Sequence, residues 1–332
     1  MTTNIIEKIL AGDVRSVGRL LSRIENRESL KDASLLAELF PHAEGVTVLG
    51  VTGSPGAGKS TLVDRLARAY AEGGEKVGII AVDPTSPFSG GAILGDRIRM
   101  QTLAAHPGVF IRSMATRGTM GGLSSAVDDA IVVLGAAGYR RVIVETVGAG
   151  QDEVDIARSA DVTLVVLVPG MGDEIQTLKA GIMEIGEIFV VNKADREGAD
   201  KLVREIRSLV SDRVSASGWT PRVVATVAAT GEGLPELLGV VDEVHRFLRA
   251  SCTGEQRRVA AARNRIQGLV EQRAVDECRR VIDEVELDRL SERVSAGETS
   301  PYEAAETLLR LLFRRLRIDG PDGKPSPPKV TS

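Results

Sequence analysis

An α/β fold built on a largely parallel, doubly wound sheet, with helical extensions at its N- and C-terminal ends, is what the sequence predicts. Seven short β-branched runs carry the prediction: VTVLGV, VGIIAVD, VFIRSM, RVIVETV, VTLVVLV, IFVVNKAD and RVVATVA. They are apolar at successive rather than alternating positions, as in strands buried on both faces, and helix-length segments separate them. Before and after these runs the apolar residues fall at helical spacing instead.

From Thr3 to about Pro41, Ile5, Ile6, Ile9 and Leu10, then Val14, Val17, Leu20 and Leu21, mark a helical N-terminal extension interrupted at Gly12-Asp13. We assign it to residues 1–43 and the sheet domain to 44–250. Beyond Cys252 the strand pattern stops. Ile266, Leu269, Val270, Val281, Ile282 and Val285 recur at helical spacing, and YEAAETLLRLLFRRLR at 302–317 forms a further helix with a broad apolar face. Residues 251–318 therefore read as a helical region that packs on its own domain or on a second subunit. GPDGKPSPPKVTS, within 319–332, has the composition of a disordered tail.

With 332 residues, 43% of them hydrophobic, the chain has enough apolar material for a substantial core. A net charge of −4 gives no general pull toward nucleic acid or an anionic membrane, and no stretch nears the length of a membrane span. The expectation is a cytoplasmic protein with no nucleic-acid or membrane partner. Cys252 and Cys278 have no paired-ligand spacing, and His42, His106 and His245 are scattered, so these residues read as packing or surface groups.

The first strand runs directly into Gly53-Ser54-Pro55-Gly56-Ala57-Gly58-Lys59-Ser60-Thr61, which opens a helix. This is the phosphate loop of a P-loop NTPase: glycines let backbone N–H groups wrap an anion, and the helix N-terminus adds positive potential. Lys59 can reach the β- and γ-phosphates and Ser60 can ligate Mg²⁺. Asn192-Lys193-Ala194-Asp195 follows a later strand, at the edge where ligands bind in such sheets. The Asp195 carboxylate can accept from guanine N1–H and the 2-amino group, which adenine does not offer in that arrangement. GTP or GDP is therefore the expected nucleotide. ATVAATG, at 225–231, can supply backbone contacts to the base through Ala228, Ala229 and Thr230.

Between these motifs, Glu145-Thr146-Val147-Gly148 ends a strand where a γ-phosphate sensor belongs. Glu145 suits a Mg²⁺ held through water, and Gly148 can offer its N–H to the γ-phosphate. Gln151 lies two residues too far along for a Ras-like water-orienting glutamine and is not assigned. VGIIAVD ends at Asp83, and Asp96 follows in a Gly-rich loop, so both are candidates for the metal site. The lesser alternative for Asp96 is a helix N-cap before Arg97 to Leu103. Arg112 and Arg117 suit either charge stabilisation near the nucleotide or contact with a partner.

Taken together, GSPGAGKST (53–61), AVDPTSPFSGGAILGDRIRM (81–100), FIRSMATRGTMGGLS (110–124), VIVETVGAGQDEVD (142–155) and the long block from 166 to 195 resemble the methylmalonyl-CoA mutase-associated GTPases of the MeaB/ArgK type, in the metal- and cofactor-delivery class of P-loop GTPases. Ser54 and Ala57 are the one possible departure, at positions where small residues can vary around the backbone cradle. The resemblance implies a GTP-hydrolysing chaperone of an adenosylcobalamin-dependent acyl-CoA mutase. It also implies a homodimer through the C-terminal helices and a possible cobalamin adenosyltransferase in the same pathway. By the same carry-over Asp83, Asp96 and Glu145 are the acidic Mg²⁺-site and switch candidates, and Lys59 and Glu145 act in hydrolysis. Lys179, in GMGDEIQTLK, is a lysine that couples mutase binding to hydrolysis; from the residues alone it reads as a solvated helix lysine. A nickel-delivery GTPase would need Cys/His ligands near the switches, which the sequence lacks. Kinase of a periplasmic transport protein is the alternative from another class.

Overall fold

In a computed structural model, residues 2–26, 31–84, 103, 105–116, 122–146, 159–170, 185–211, 218–282 and 284–318 are described. All seven runs form strands: β1 Thr47–Gly53, β2 Val77–Pro84, β3 Val109–Thr116, β4 Arg141–Thr146, β5 Val162–Leu167, β6 Ile188–Asn192 and β7 Arg222–Thr226. They make one sheet in the order β3-β2-β4-β1-β5-β6-β7, with every pairing parallel. β1 stands between β4 and β5, so one half of the sheet is built on each side of it. The carboxyl ends of these three strands frame the switch point at which such sheets bind ligands.

Around the sheet lie helices α1 Thr2–Leu10, α2 Val14–Asn26, α3 Lys31–Leu39, α4 Lys59–Glu72, α5 Gly122–Ala136, α6 Ala199–Ser211 and α7 Leu234–Ala250. The two faces follow the period of two along each strand. Leu49, Val51 and Ile143 pack with Leu62 and Leu66 of α4 and Val241 of α7. Val48, Val142 and Val144 instead meet Ile9, Leu20 and Leu35 of α1–α3 and the buried residues of α5. The N-terminal helices thus complete one layer of the sandwich. Asp13 starts α2 by accepting the Ser16 N–H at 2.9 Å, and the Ser16 hydroxyl together with that N–H lowers its carboxyl from the ordinary value. Arg112 reaches this layer as well, pairing through Nη2 with Glu25 Oε2 of α2 at 2.6 Å.

The chain divides into two compact units, Met1–Asn264 and Arg265–Ser332, with α8 Cys252–Val281 running from one into the other. Within the first unit α8 is anchored by Arg257, whose Nη1 lies 2.6 Å from Glu187 Oε1. Glu187 is 3% exposed, and its Oε2 accepts the Thr163 N–H at 2.7 Å. The second unit contains α9 Glu284–Ser295 and α10 Pro301–Ile318, with Leu290 and Ala304 buried.

Burial pushes the Glu187 carboxyl above its ordinary value, against the pull of Arg257 and the Thr163 amide. A carboxyl raised in the folded state binds more protons there than in the unfolded chain, so its contribution to stability is full below the unfolded pKa and lost as pH rises through the folded one. Arg257→Ala takes away the largest pull downward. We expect this variant to be destabilised by about 3 kcal/mol near neutral pH and less near about pH 5, by urea unfolding. Adding Glu187→Gln should shrink that pH dependence; a loss equal at both pH values would refute the assignment.

Candidate functional site

β1 delivers its chain to α4 through residues 54–58, and backbone geometry decides the sequence there. Gly53 has φ +132° and a side chain on it would strike the Val166 carbonyl of β5. Gly58, at φ +89°, caps α4 and lies against Asn192 Nδ2, where a Cβ would collide. Both positions therefore need glycine. The loop leaves the first N–H groups of α4 at the carboxyl edge of the sheet, with Ser60 and Thr61 in the first turn. Lys59 is buried, and its Nζ donates to the carbonyls of Gly53 at 2.7 Å and Ser54 at 3.0 Å, which hold the ammonium over the loop. Pro55 and Gly56 are exposed, whereas Ala57 is fully buried in the core. The cradle is backbone, and burial of Ala57 leaves position 57 to small residues.

Glu145 lies on β4 opposite Val51, beside the loop. It is 3% exposed, and its Oε1 accepts the Ser60 hydroxyl at 2.6 Å, a short bond to an ionisable carboxyl. Thr146 donates from Oγ1 to Thr52 Oγ1 at 3.2 Å, joining β4 to β1 at the same edge. A hydroxyl and a carboxylate are hard oxygen donors of the kind Mg²⁺ takes alongside phosphate oxygens and water. Among the described residues no three His, Cys, Asp or Glu side chains cluster. Asp83 lies near the carboxyl end of β2, in register with Ala115 of β3.

At the other end of the loop, β6 finishes at Asn192, which is 2% exposed and whose amide is bonded through both its nitrogen and its oxygen. Nδ2 donates to the Ala57 carbonyl at 2.8 Å; Oδ1 accepts from the Ala228 N–H at 3.0 Å and the Thr226 hydroxyl at 3.3 Å. Lys193 has φ +58°, uncommon for a residue with a side chain, and its Nζ donates to the Gly56 carbonyl at 2.8 Å. The next amide, Ala194 N–H, donates to Thr226 O at 3.0 Å. This turn leaves Asp195 exposed, with its carboxylate accessible to a ligand.

The loop after β7 carries Ala228, Ala229 and Thr230. It is held by Asn192 and also by Arg65 of α4, whose Nε donates to Ala228 O at 3.1 Å and whose Nη2 donates to Ala229 O. The sequence gives no warning of Arg65 or Thr226, since both act on backbone or side-chain atoms that only the fold brings near. Asp96, Arg117, Gly148, Gln151 and Lys179 lie outside the described residues.

A family model described as methylmalonyl Co-A mutase-associated GTPase MeaB matches residues 17–283. A Pyrococcus abyssi protein named as a GTPase is 45% identical over 93% of this chain and 96% of its own length. The mouse protein named methylmalonic aciduria type A homolog, mitochondrial, is 33% identical over 80% of this chain and 66% of its own. A solved structure described as a LAO/AO transport system kinase has a TM-score of 0.68 at 25% identity, covering 94% of this chain and 97% of that one.

Gly58→Ala tests the junction directly. It forces a side chain into left-handed backbone and against Asn192, so it should destabilise the protein by about 1–3 kcal/mol and weaken nucleotide binding more than Gly56→Ala, where the backbone is also left-handed but the added carbon meets nothing. Melting and nucleotide titration of the two variants check this. Equal effects would remove the contact with Asn192 from the explanation.

Proposed function

The chain belongs to the methylmalonyl-CoA mutase-associated GTPase family MeaB, and from that premise we propose that it is a GTP-hydrolysing chaperone of an adenosylcobalamin-dependent acyl-CoA mutase. The chain is a GTPase of the P-loop type and binds GTP and GDP. The observation that carries the site assignment is the Asn192 side chain, which ties the phosphate loop to the loop after β7. In this reading, Gly53 to Thr61 wrap the phosphates, and Lys59 meets the negative charge that shifts onto them as water attacks the γ-phosphorus and GDP leaves. Ser60 and Glu145, joined by their hydrogen bond, hold Mg²⁺, which neutralises phosphate charge when bound. Asp83 and Asp96 belong to the same acidic set, and Gly148 reports the γ-phosphate. Lys193 flanks the base, Asp195 reads its N1–H and 2-amino group, and Ala228, Ala229 and Thr230 line its other edge.

The biological output is the switch rather than the phosphate released. The family description and the mouse relative's name support an acyl-CoA mutase as the partner, with Lys179 coupling its arrival to hydrolysis. A cobalamin adenosyltransferase fits the same delivery role. A homodimer through the C-terminal helices is supported by exposed apolar residues at helical spacing: Ile266 and Val270 on α8, 63% and 62% exposed, and Leu309 and Phe313 on α10, 43% and 61% exposed. The kinase named for the solved relative is the rival from another class, and nucleotide choice separates the two.

The native protein should bind GDP far more tightly than ADP. Asp195→Asn should lose most of that preference, by at least about 2 kcal/mol, in a competition titration. Equal binding of ATP and GTP by the native protein would overturn the base assignment. Turnover should be slow alone and rise on addition of the cognate acyl-CoA mutase, while Lys179→Ala keeps the slow rate and loses the rise. Light scattering of the same sample should give twice the 35.3 kDa mass of one chain. Fast hydrolysis indifferent to the mutase would count against the chaperone role.

A further inference from the structure

The backbone N–H groups of Ala228, Ala229, Thr230 and Gly231 follow one another along the edge of the proposed base site, and three of them are taken. Ala228 N–H goes to Asn192 Oδ1 at 3.0 Å. Thr230 and Gly231 both donate to Val227 O, at 3.0 and 2.9 Å. Among the described residues, Ala229 N–H is the one of the four that neither a backbone carbonyl nor Asn192 takes up.

What orients it is Arg65. The chain has no cis peptide, so in the planar unit joining Ala228 to Ala229 the carbonyl and the N–H point in opposite directions. Arg65 Nε holds that carbonyl toward α4 at 3.1 Å, which turns the Ala229 N–H away from α4. Arg65 Nη2 holds the next carbonyl, that of Ala229, in the same sense, consistent with the Thr230 N–H folding back to Val227. Ala229 is exposed, and among the described residues the Arg65 guanidinium is what fixes the peptide joining Ala228 to Ala229, whereas the next peptide is also held by the Thr230 N–H on Val227 O. The planar fork of an arginine suits two carbonyls in succession, and Lys offers no such pre-set pair of donors.

Arg65 also lies on the helix that opens with Lys59 and Ser60, about 9 Å further along at the α-helical rise. One rigid element therefore touches the phosphates at its first turn and the base loop in its second. We propose that Arg65 is a positioning residue for guanine recognition: it sets the Ala229 N–H as the donor to guanine O6 and couples the base loop to the phosphate-binding helix. This rests on the assignment of Asp195 and the loop after β7 to the base.

The test compares GDP with 6-thio-GDP, which keeps the N1–H and 2-amino group that Asp195 reads but replaces O6 by sulfur, a weaker acceptor. The native protein is expected to prefer GDP by about threefold to tenfold, the scale of one hydrogen bond. In Arg65→Met that ratio should fall to near one, with GDP affinity lower and 6-thio-GDP affinity little changed. Arg65→Gln, which retains a single donor group, supplies the measurement if the methionine variant does not fold, and it too should lower the ratio. A merely structural role for Arg65 would weaken both nucleotides alike and leave the ratio at its native value, and that result overturns the proposal. Asp195→Asn is run in parallel against GDP and ADP. If it abolishes guanine preference while the Arg65 variants keep the native ratio, only the role of Arg65 falls. If it leaves guanine preference intact, the base assignment falls and the role of Arg65 with it.

Discussion

The buried amide of Asn192 is the constraint on which the candidate site depends. It stands at the end of β6, two strands from β1, and yet donates to the phosphate loop and accepts from the loop after β7. A side-chain amide is suited to this because it offers a donor and an acceptor on one planar group, and both ends are used here in a place where water cannot substitute. Leaving either bond unmade would carry the full cost of a buried polar group. Loops from three strands are thus held in register by one residue, and Gly58 is glycine partly because Asn192 occupies the space a side chain would need.

The same economy governs the opposite edge of the sheet. Glu187, at the start of β6, accepts the Thr163 N–H of β5 and pairs with Arg257 of α8, while its carbonyl accepts both the Arg222 N–H and the Trp219 indole N–H. Asp161 plays a similar part next to β1, accepting the Val48 N–H at 2.8 Å. Burial raises the carboxyls of both Asp161 and Glu187. These are ties between strands at the edge away from the phosphate loop, and they leave the carboxyl edge to carry groups whose partners are ligands.

Strand number, order of elements and the two anchoring motifs were legible because each rests on local chemistry. Seven short β-branched runs separated by helix-length segments read as strands of a sheet covered on both faces, though the edge strand β7 leaves Arg222 and Ala225 exposed, and GSPGAGKS between a strand and a helix has few other uses. That α1–α3 form a layer on the sheet was not legible: Ile9, Leu20 and Leu35 announce a helix with an apolar face, but the period says nothing about which surface covers it. Arg112 illustrates the same limit. Its place in a Gly- and Arg-rich block leaves both charge stabilisation near the nucleotide and contact with a partner open, and no pattern in the sequence announces Glu25, 87 residues earlier, with which it pairs. Arg65 was invisible for a related reason, since its partners are carbonyl oxygens and every residue type supplies those.

The proposed switch role fits an asymmetry in this geometry. The phosphate loop touches Glu145 through Ser60 on one side and Asn192 through Ala57 on the other, and these residues end strands on opposite flanks of β1. A change in the bonds of Ser60 acts on β4 through Glu145. The same change cannot easily move Asn192, because that amide is buried and bonded at both ends. Under the proposed assignment, the flank carrying Ser60 and Glu145 is the one set to answer the γ-phosphate, and the flank held by Asn192 is the one that keeps the base in place. A GTPase whose output is a conformational signal needs that asymmetry, since a site that loosened on both sides would release the nucleotide instead of reporting its state.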